Sequence, residues 1–358
     1  MTRRIPAALS AALVLGGVAL GGAGCATAQR QVYTPAELRT ALAGRPEIPP
    51  ADVVVPWELP PAALERARRV VDGARTEKDK VERLVAAMFD PAEFGLVQGT
   101  VPDTTTGAEA LARGRGNCVA LASVFIGLAR SVGLDARFVD ASSRIHERRY
   151  GEDGSAVHFG HVTAMVDTGD ERIGLDFARI GPFRWYQVLD DLEAVAHFHN
   201  NRGYELVDQA REAGQPPDWA EAARRFELAV AIKPGFARAW NNLGVAASHL
   251  ERRAVAVDCW RRAIALDPAM AAPHANLGAL HLAEGDLPAA LGELDAAARL
   301  DPQGAHIQYH LALARLRSGD RPGALEALRR TLSLRGGFPG AQALLERLSP
   351  GSPGAGGD

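Results

Sequence analysis

The C-terminal half of this 358-residue chain repeats with a period of 34 residues. Trp240, Asn242, Leu243 and Gly244 open one unit, which runs through Ala256, Trp260 and Ala263 to Pro268. His274, Asn276, Leu277 and Gly278 open the next, followed in register by Ala290, Leu294, Ala297 and Pro302. Gln308, His310, Leu311 and Ala312 open a third, with Ala324, Leu328 and Thr331 behind them. A period of this length confines the chain to stacked copies of one supersecondary element, because each copy buries its apolar face only against its neighbours. An earlier unit ends at Pro234 with Phe226 and Ala229 in register. It begins around Ala196 to Gly203, in "AHFHNNRG", and carries extra residues at "AREAGQPP". "PGAQALLERL" opens a helix that caps the stack, and 349–358 reads as a disordered tail.

The register resembles the tetratricopeptide repeat, a helical hairpin with small residues where its helices touch and proline at its end. That resemblance implies an all-α solenoid over 196–348 whose first helices line a concave groove. Groove candidates are Asn241 and Val245, then Ala275 and Ala279, then Tyr309 and Leu313. This mostly apolar lining suits a protein or peptide partner with an apolar or helical segment, or packing against the chain's own neighbouring domain. Cys259, beside Trp260 inside a repeat helix, is expected to be inert.

The first residues have another logic. Arg3 and Arg4 precede an uncharged apolar run that lasts until Arg30, the pattern of an export signal. Its end, Gly22-Ala23-Gly24-Cys25, resembles a bacterial lipobox, which implies a signal over 1–24 and lipidation at Cys25. Gly22 stands where that pattern has a larger aliphatic residue, which leaves ordinary cleavage and a membrane-spanning anchor as alternatives. Ala26 after the cysteine implies retention at the outer membrane, so the expected location is the cell envelope, lipid-anchored and facing the periplasm. Scattered prolines then make 25–61 read as a tether.

From Ala62 to about Phe89 apolar residues recur at helix spacing, and Thr104 to Thr106 can cap the short helix "GAEALARG". A second helix opens at Cys118, buries Leu121, Val124, Phe125 and Leu128, and stops at Gly133. "ARFVDAS", "HVTAMVD" and "RIGLDFA" read as strands, the last two joined by the turn "TGDE". Helix first and sheet after makes 62–190 an α+β domain.

Cys118 follows the glycine turn "GRGN" at a helix N-terminus, where partial positive charge and unpaired N–H groups favour a thiolate and can hold an oxyanion. A thiol nucleophile needs a base, and the base needs an orienting group. His161 begins one strand of the hairpin and Asp176 ends the other, so an antiparallel return brings them together. His158 is the rival base, but strand alternation puts it on the opposite face.

"GRGNC…ASVFIGLARSVGLDARFVD…GHVTAMV…IGLDFA" resembles the transglutaminase-like core, a papain-like fold with a Cys-His-Asp triad. The resemblance implies Cys118 as nucleophile, His161 as acid and base, and Asp176 as the orienting carboxylate. Gln98 is the candidate for completing the oxyanion hole. Val119 and Val162 stand where many members carry aromatics. The expected fold class is therefore an α+β transglutaminase-like domain followed by an all-α tetratricopeptide-repeat solenoid. Two functions follow. One is an envelope-anchored cysteine enzyme, hydrolase or acyl transferase, acting on peptide or peptidoglycan-type amides or on esters. The other is an inactive transglutaminase-like fold within an interaction scaffold.

The net charge of −3 and the lack of a basic patch argue against nucleic acid. The ten histidines lack the spacing of a zinc motif, and "GRGNC" lacks the rest of a phosphate-loop fingerprint, so no metal or cofactor is expected.

Overall fold

The computed structural model describes residues 31–99, 104–141, 148–150, 156–158, 160–177, 186–338 and 340–348. The export-signal segment with Cys25 and the tail at 349–358 lie outside the described residues.

The segment expected as a tether is built into the fold from residue 31 onward. Helix α1 (Pro35–Ala43) starts with a reciprocal capping box between Thr34 and Glu37, and its Leu38 and Leu42, one turn apart, are wholly buried. Ile48, Val55, Trp57 and Leu59 are buried as well. The prolines that suggested an extended tether act here as helix starters. Pro35 and Pro61 each occupy the first position of a helix, where the missing N–H costs nothing.

Helices α2 (Pro61–Val70) and α3 (Glu77–Phe89) follow, then the short strand β1 (Val97–Gln98). Helix α4 (Gly107–Arg113) is capped by Thr106 and closed by Gly114 in the left-handed region, φ 66°. Strand β2 (Arg115–Gly116) pairs in parallel with β1 and leads directly into α5 (Cys118–Ser131). Every residue of α5 from Val119 to Ala129 is buried, because α2, α3, α4 and the sheet surround it. The sheet is antiparallel. Strand β3 (Asp135–Asp140) comes first, and the separate hairpin of β4 (Arg148–Tyr150) and β5 (Ala156–His158) intervenes. Strands β6 (Val162–Asp167), β7 (Arg172–Leu175) and β8 (Gln187–Val188) complete the order β7-β6-β3-β8.

The helical half is a series of antiparallel hairpins: α6 (Asp191–Glu212) with α7 (Trp219–Ile232), α8 (Ala237–His249) with α9 (Arg253–Leu266), and α10 (Ala271–Glu284) with α11 (Leu287–Leu300). α12 (Ala305–Arg317) with α13 (Arg321–Leu334) and the capping α14 (Ala341–Leu348) complete the series. Gly244 explains the small residue at the hairpin contact. A Cβ there would sit 2.5 Å from Trp260 Nε1, the group that donates to the Asn241 carbonyl at 3.2 Å.

The chain groups into two compact units. One holds the sheet, α1 to α5 and the first helical hairpin, ending at Pro234. The other begins at Gly235 and takes in Arg148–His158. Within that second unit β5 lies against α8 and α10, the helices that carry the first four groove candidates, Tyr309 and Leu313 being on α12. Asn241, Val245 and Ala275 are buried there, while Ala279, Tyr309 and Leu313 are half-buried. Asn241 Oδ1 accepts from Asn276 Nδ2 of the next repeat at 3.0 Å.

Candidate active site

Cys118 is the first residue of α5 and is partly exposed, whereas the helix behind it is buried. Asn117 is the N-cap, its Oδ1 accepting from the Ala120 N–H at 3.0 Å. Gly116, buried just before it, packs where a Cβ would stand 2.8 Å from the Ala120 side chain. The turn into the helix is thus fixed by a glycine and a cap, as the sequence "GRGN" suggests.

His161 stands one residue ahead of β6, held there because its carbonyl accepts from the Ala141 N–H at 2.8 Å, which prolongs the β3–β6 ladder. Asp176 is one residue past β7. Both are buried, with 4% and 3% of their surface exposed, and His161 Nε2 is 3.2 Å from Asp176 Oδ1. Phe177 anchors the end of the strand, its ring 6.2 Å from Phe125 of α5 and 6.4 Å from Phe89 of α3.

Cys118 stands near enough to the His161 ring to help hold a proton on it. Burial opposes charging the ring, yet Asp176 and Cys118 outweigh it and push the His161 pKa up to about 10. The arrangement favours an imidazolium flanked by a carboxylate and a sulfur. Such a group can steady a thiolate and later give its proton to a leaving group.

The structure brings Cys118, His161 and Asp176 together. The β1–β2 pairing brings Gln98 toward the start of α5, its backbone in register with Gly116, two residues before Cys118. His158 lies on β5, outside the sheet that carries His161. Cys118 and Cys259 are both free thiols. Among the described residues no cluster of three or more His, Cys, Asp or Glu side chains could hold a metal ion.

The profile of the transglutaminase-like superfamily matches residues 65–168, and that of the tetratricopeptide repeat matches 237–269. The chain carries a transglutaminase-like domain and a tetratricopeptide repeat. Cys118, His161 and Gln98 fall within the first match, and Asp176 lies beyond its end. Among solved structures the chain is similar to MamA 41-end from Desulfovibrio magneticus RS-1, at 20% identity over 43% of this chain and 82% of that one, TM-score 0.36. It is also similar to YrrB, described as a tetratricopeptide-repeat protein with an unusual peptide-binding site, at 22% identity over 43% and 78%, TM-score 0.35. PilF of Pseudomonas aeruginosa follows at 21% identity over 43% and 68%, TM-score 0.38. No curated protein matches the chain.

Two arginines of the stretch that joins helix to strand in the transglutaminase-like domain have structural roles. Arg130 clamps the Asp191 carboxylate with both terminal nitrogens, each at 2.8 Å, and donates through Nε to the Ala136 carbonyl. It also stacks over Trp57. Arg137 pairs with Asp135 on its own strand.

Residues that sequence reasoning missed lie on α6. His197 Nε2 is 3.9 Å from Asp140, Asn201 bonds to Gly160, and Glu205 bonds to Thr104 and Asn117. All three are buried. The available signal was a polar stripe at four-residue spacing, His197, Asn201 and Glu205, where a repeat helix needs an apolar face.

Proposed function

We propose that this chain is a transglutaminase-like cysteine enzyme of the cell envelope, tethered by a lipid on Cys25, with its repeats presenting a protein or peptide partner. The observation that carries the catalytic part is the placement of His161 between Asp176 and Cys118 at the start of α5.

In the proposed reaction the Cys118 Sγ anion attacks an amide or ester carbonyl, and the carbonyl π electrons move onto oxygen. The N–H at the start of α5 and the Gln98 side chain stabilise that oxyanion. The oxyanion re-forms the carbonyl and expels the amine or alcohol, which takes its proton from the His161 imidazolium, leaving a thioester on Cys118. Water or an amine then attacks the thioester, losing its proton to His161, and the thiolate leaves. Asp176 keeps the ring oriented through both steps. Peptides and peptidoglycan-type amides are the substrate class that suits an envelope enzyme.

The alternative, an inactive fold serving an interaction scaffold, is favoured by Val119 and Val162 in place of aromatics. Iodoacetamide labelling of Cys118, read by peptide mass from pH 4 to 9, separates the two. An enzyme labels quickly near pH ~6 and loses that rate in His161→Ala, as a thiolate–imidazolium pair requires. Slow labelling that is indifferent to His161 overturns the catalytic reading and leaves the scaffold.

A further inference from the structure

The ladder that carries His161 ends one residue too early to satisfy Gly160, whose N–H and C=O are buried and need partners. One side chain supplies both. Asn201 Oδ1 accepts from the Gly160 N–H at 2.9 Å, and Asn201 Nδ2 donates to the Gly160 carbonyl at 2.8 Å. The carboxamide thus stands in for a strand neighbour at the peptide that precedes His161.

One turn further along the same face of α6, Glu205 holds the other half of the site. Its Oε2 accepts from the Thr104 N–H at 2.5 Å, and its Oε1 accepts from Thr104 Oγ1 at 2.7 Å and Asn117 Nδ2 at 2.9 Å. Asn117 is the cap of α5, so its amide is gripped on one side by Glu205 and on the other by the Ala120 N–H. Cys118 is the next residue. Two side chains four residues apart on one helix therefore fix the strand of the base and the helix of the nucleophile.

We propose that Asn201 and Glu205 are positioning residues of the thiol site, which makes the first repeat helix a working part of the catalytic domain. This role rests on Cys118 and His161 acting as nucleophile and base. Phe198 and Val207 are buried on α6, but apolar burial is non-directional and does not set the register of the helix to a fraction of an ångström. Directional bonds to Gly160 and Asn117 do, and a displacement of about 1 Å between reacting groups costs about 100-fold in rate.

The test uses the full chain, with Cys118 alkylation at pH 7 read by peptide mass and the His161 titration read by NMR of labelled histidine. Asn201→Ala and Glu205→Gln should each slow alkylation about 10- to 100-fold, and neither should slow it further in a His161→Ala background. Asn201→Ala should also move the His161 titration down toward the ordinary ~6.5. Val207→Ala, a cavity in the same helix, lowers stability but should leave both readouts at wild-type values. If Asn201→Ala fails to fold, Asn201→Asp keeps the acceptor for Gly160 and loses the donor, and should slow alkylation by a smaller factor, while its added carboxylate holds the His161 titration up rather than letting it fall. Equal effects from Asn201→Ala and Val207→Ala, or the same slowing with and without His161, overturn the positioning role. Should wild-type alkylation prove indifferent to His161, the catalytic reading fails, and the NMR titration alone decides whether Asn201 sets the His161 environment.

Discussion

His161 and Asp176 are diagonal neighbours across the β6–β7 ladder. The Ala164–Leu175 pair sets the register, Thr163 stands opposite Asp176 one step on, and His161 lies two residues further along the same face. Thr163 Oγ1 donates to the Leu175 carbonyl, which pins the β7 end beside the imidazole. A short hairpin with an unbroken register thus delivers the carboxylate to Nε2 without help from a loop.

Asp176→Asn keeps the shape of that contact and removes its charge, so the His161 titration should fall from about 10 toward the ordinary ~6.5. A pKa raised in the folded state contributes stability that is fully present below ~6.5 and is lost as pH rises through the folded value. The wild type should therefore exceed Asp176→Asn in urea midpoint at pH 6 and lose that advantage toward pH 10. Urea melts at several pH values check the sign.

His199 is the opposite case. It is completely buried on α6 with neither ring nitrogen hydrogen-bonded, and burial, helped by the nearby Arg225 cation, pushes its pKa down to about 3. The unfolded chain takes up a proton near pH ~6.5 that the folded chain refuses. Stability should fall as pH drops below ~6.5 and stop falling near 3. His199→Phe should flatten the Tm profile between pH 7 and 4.

Arg130→Lys gives up the bidentate clamp on Asp191 and the stacking over Trp57. The Asp191 side chain is 2% exposed, so its carboxylate is left short of a partner at the start of α6. The expected loss is about 2–4 kcal/mol in urea unfolding. Arg137→Ala removes a partly exposed pair and should cost under ~1 kcal/mol.

Two glycine replacements in the repeats should have opposite signs. Gly244→Ala forces a Cβ against Trp260 and should cost about 1–3 kcal/mol. Gly292 lies exposed within α11 with open space around it, so Gly292→Ala should stabilise by up to about 1 kcal/mol. Thermal melts of both variants against wild type decide the comparison.

Much of the fold was legible because its signals are local or periodic. Helix caps such as Thr106 and Asn117, the stop after α5, and the β6–β7 hairpin are written within a few residues of one another. The 34-residue period by itself names the small residue at the hairpin contact, Gly244. Over 31–61 the proline spacing reads as extended chain, but the Thr34–Glu37 box and the Leu38–Leu42 pair, one turn apart, make a buried helix there.

The sequence by itself determined the order of elements, the repeat register and the residue types able to form a thiol site, since propensity, capping and hydrophobic period act over short stretches. Only the tertiary structure decided what those faces meet. Asn201 reaches Gly160 across 41 positions and Glu205 reaches Asn117 across 88. A hydrophobic period says which side of a helix is buried, but not which partner it is buried against. A polar bond between distant residues leaves no period at all, so the α6 grip on Gly160 and Asn117 emerges only when the chain is folded.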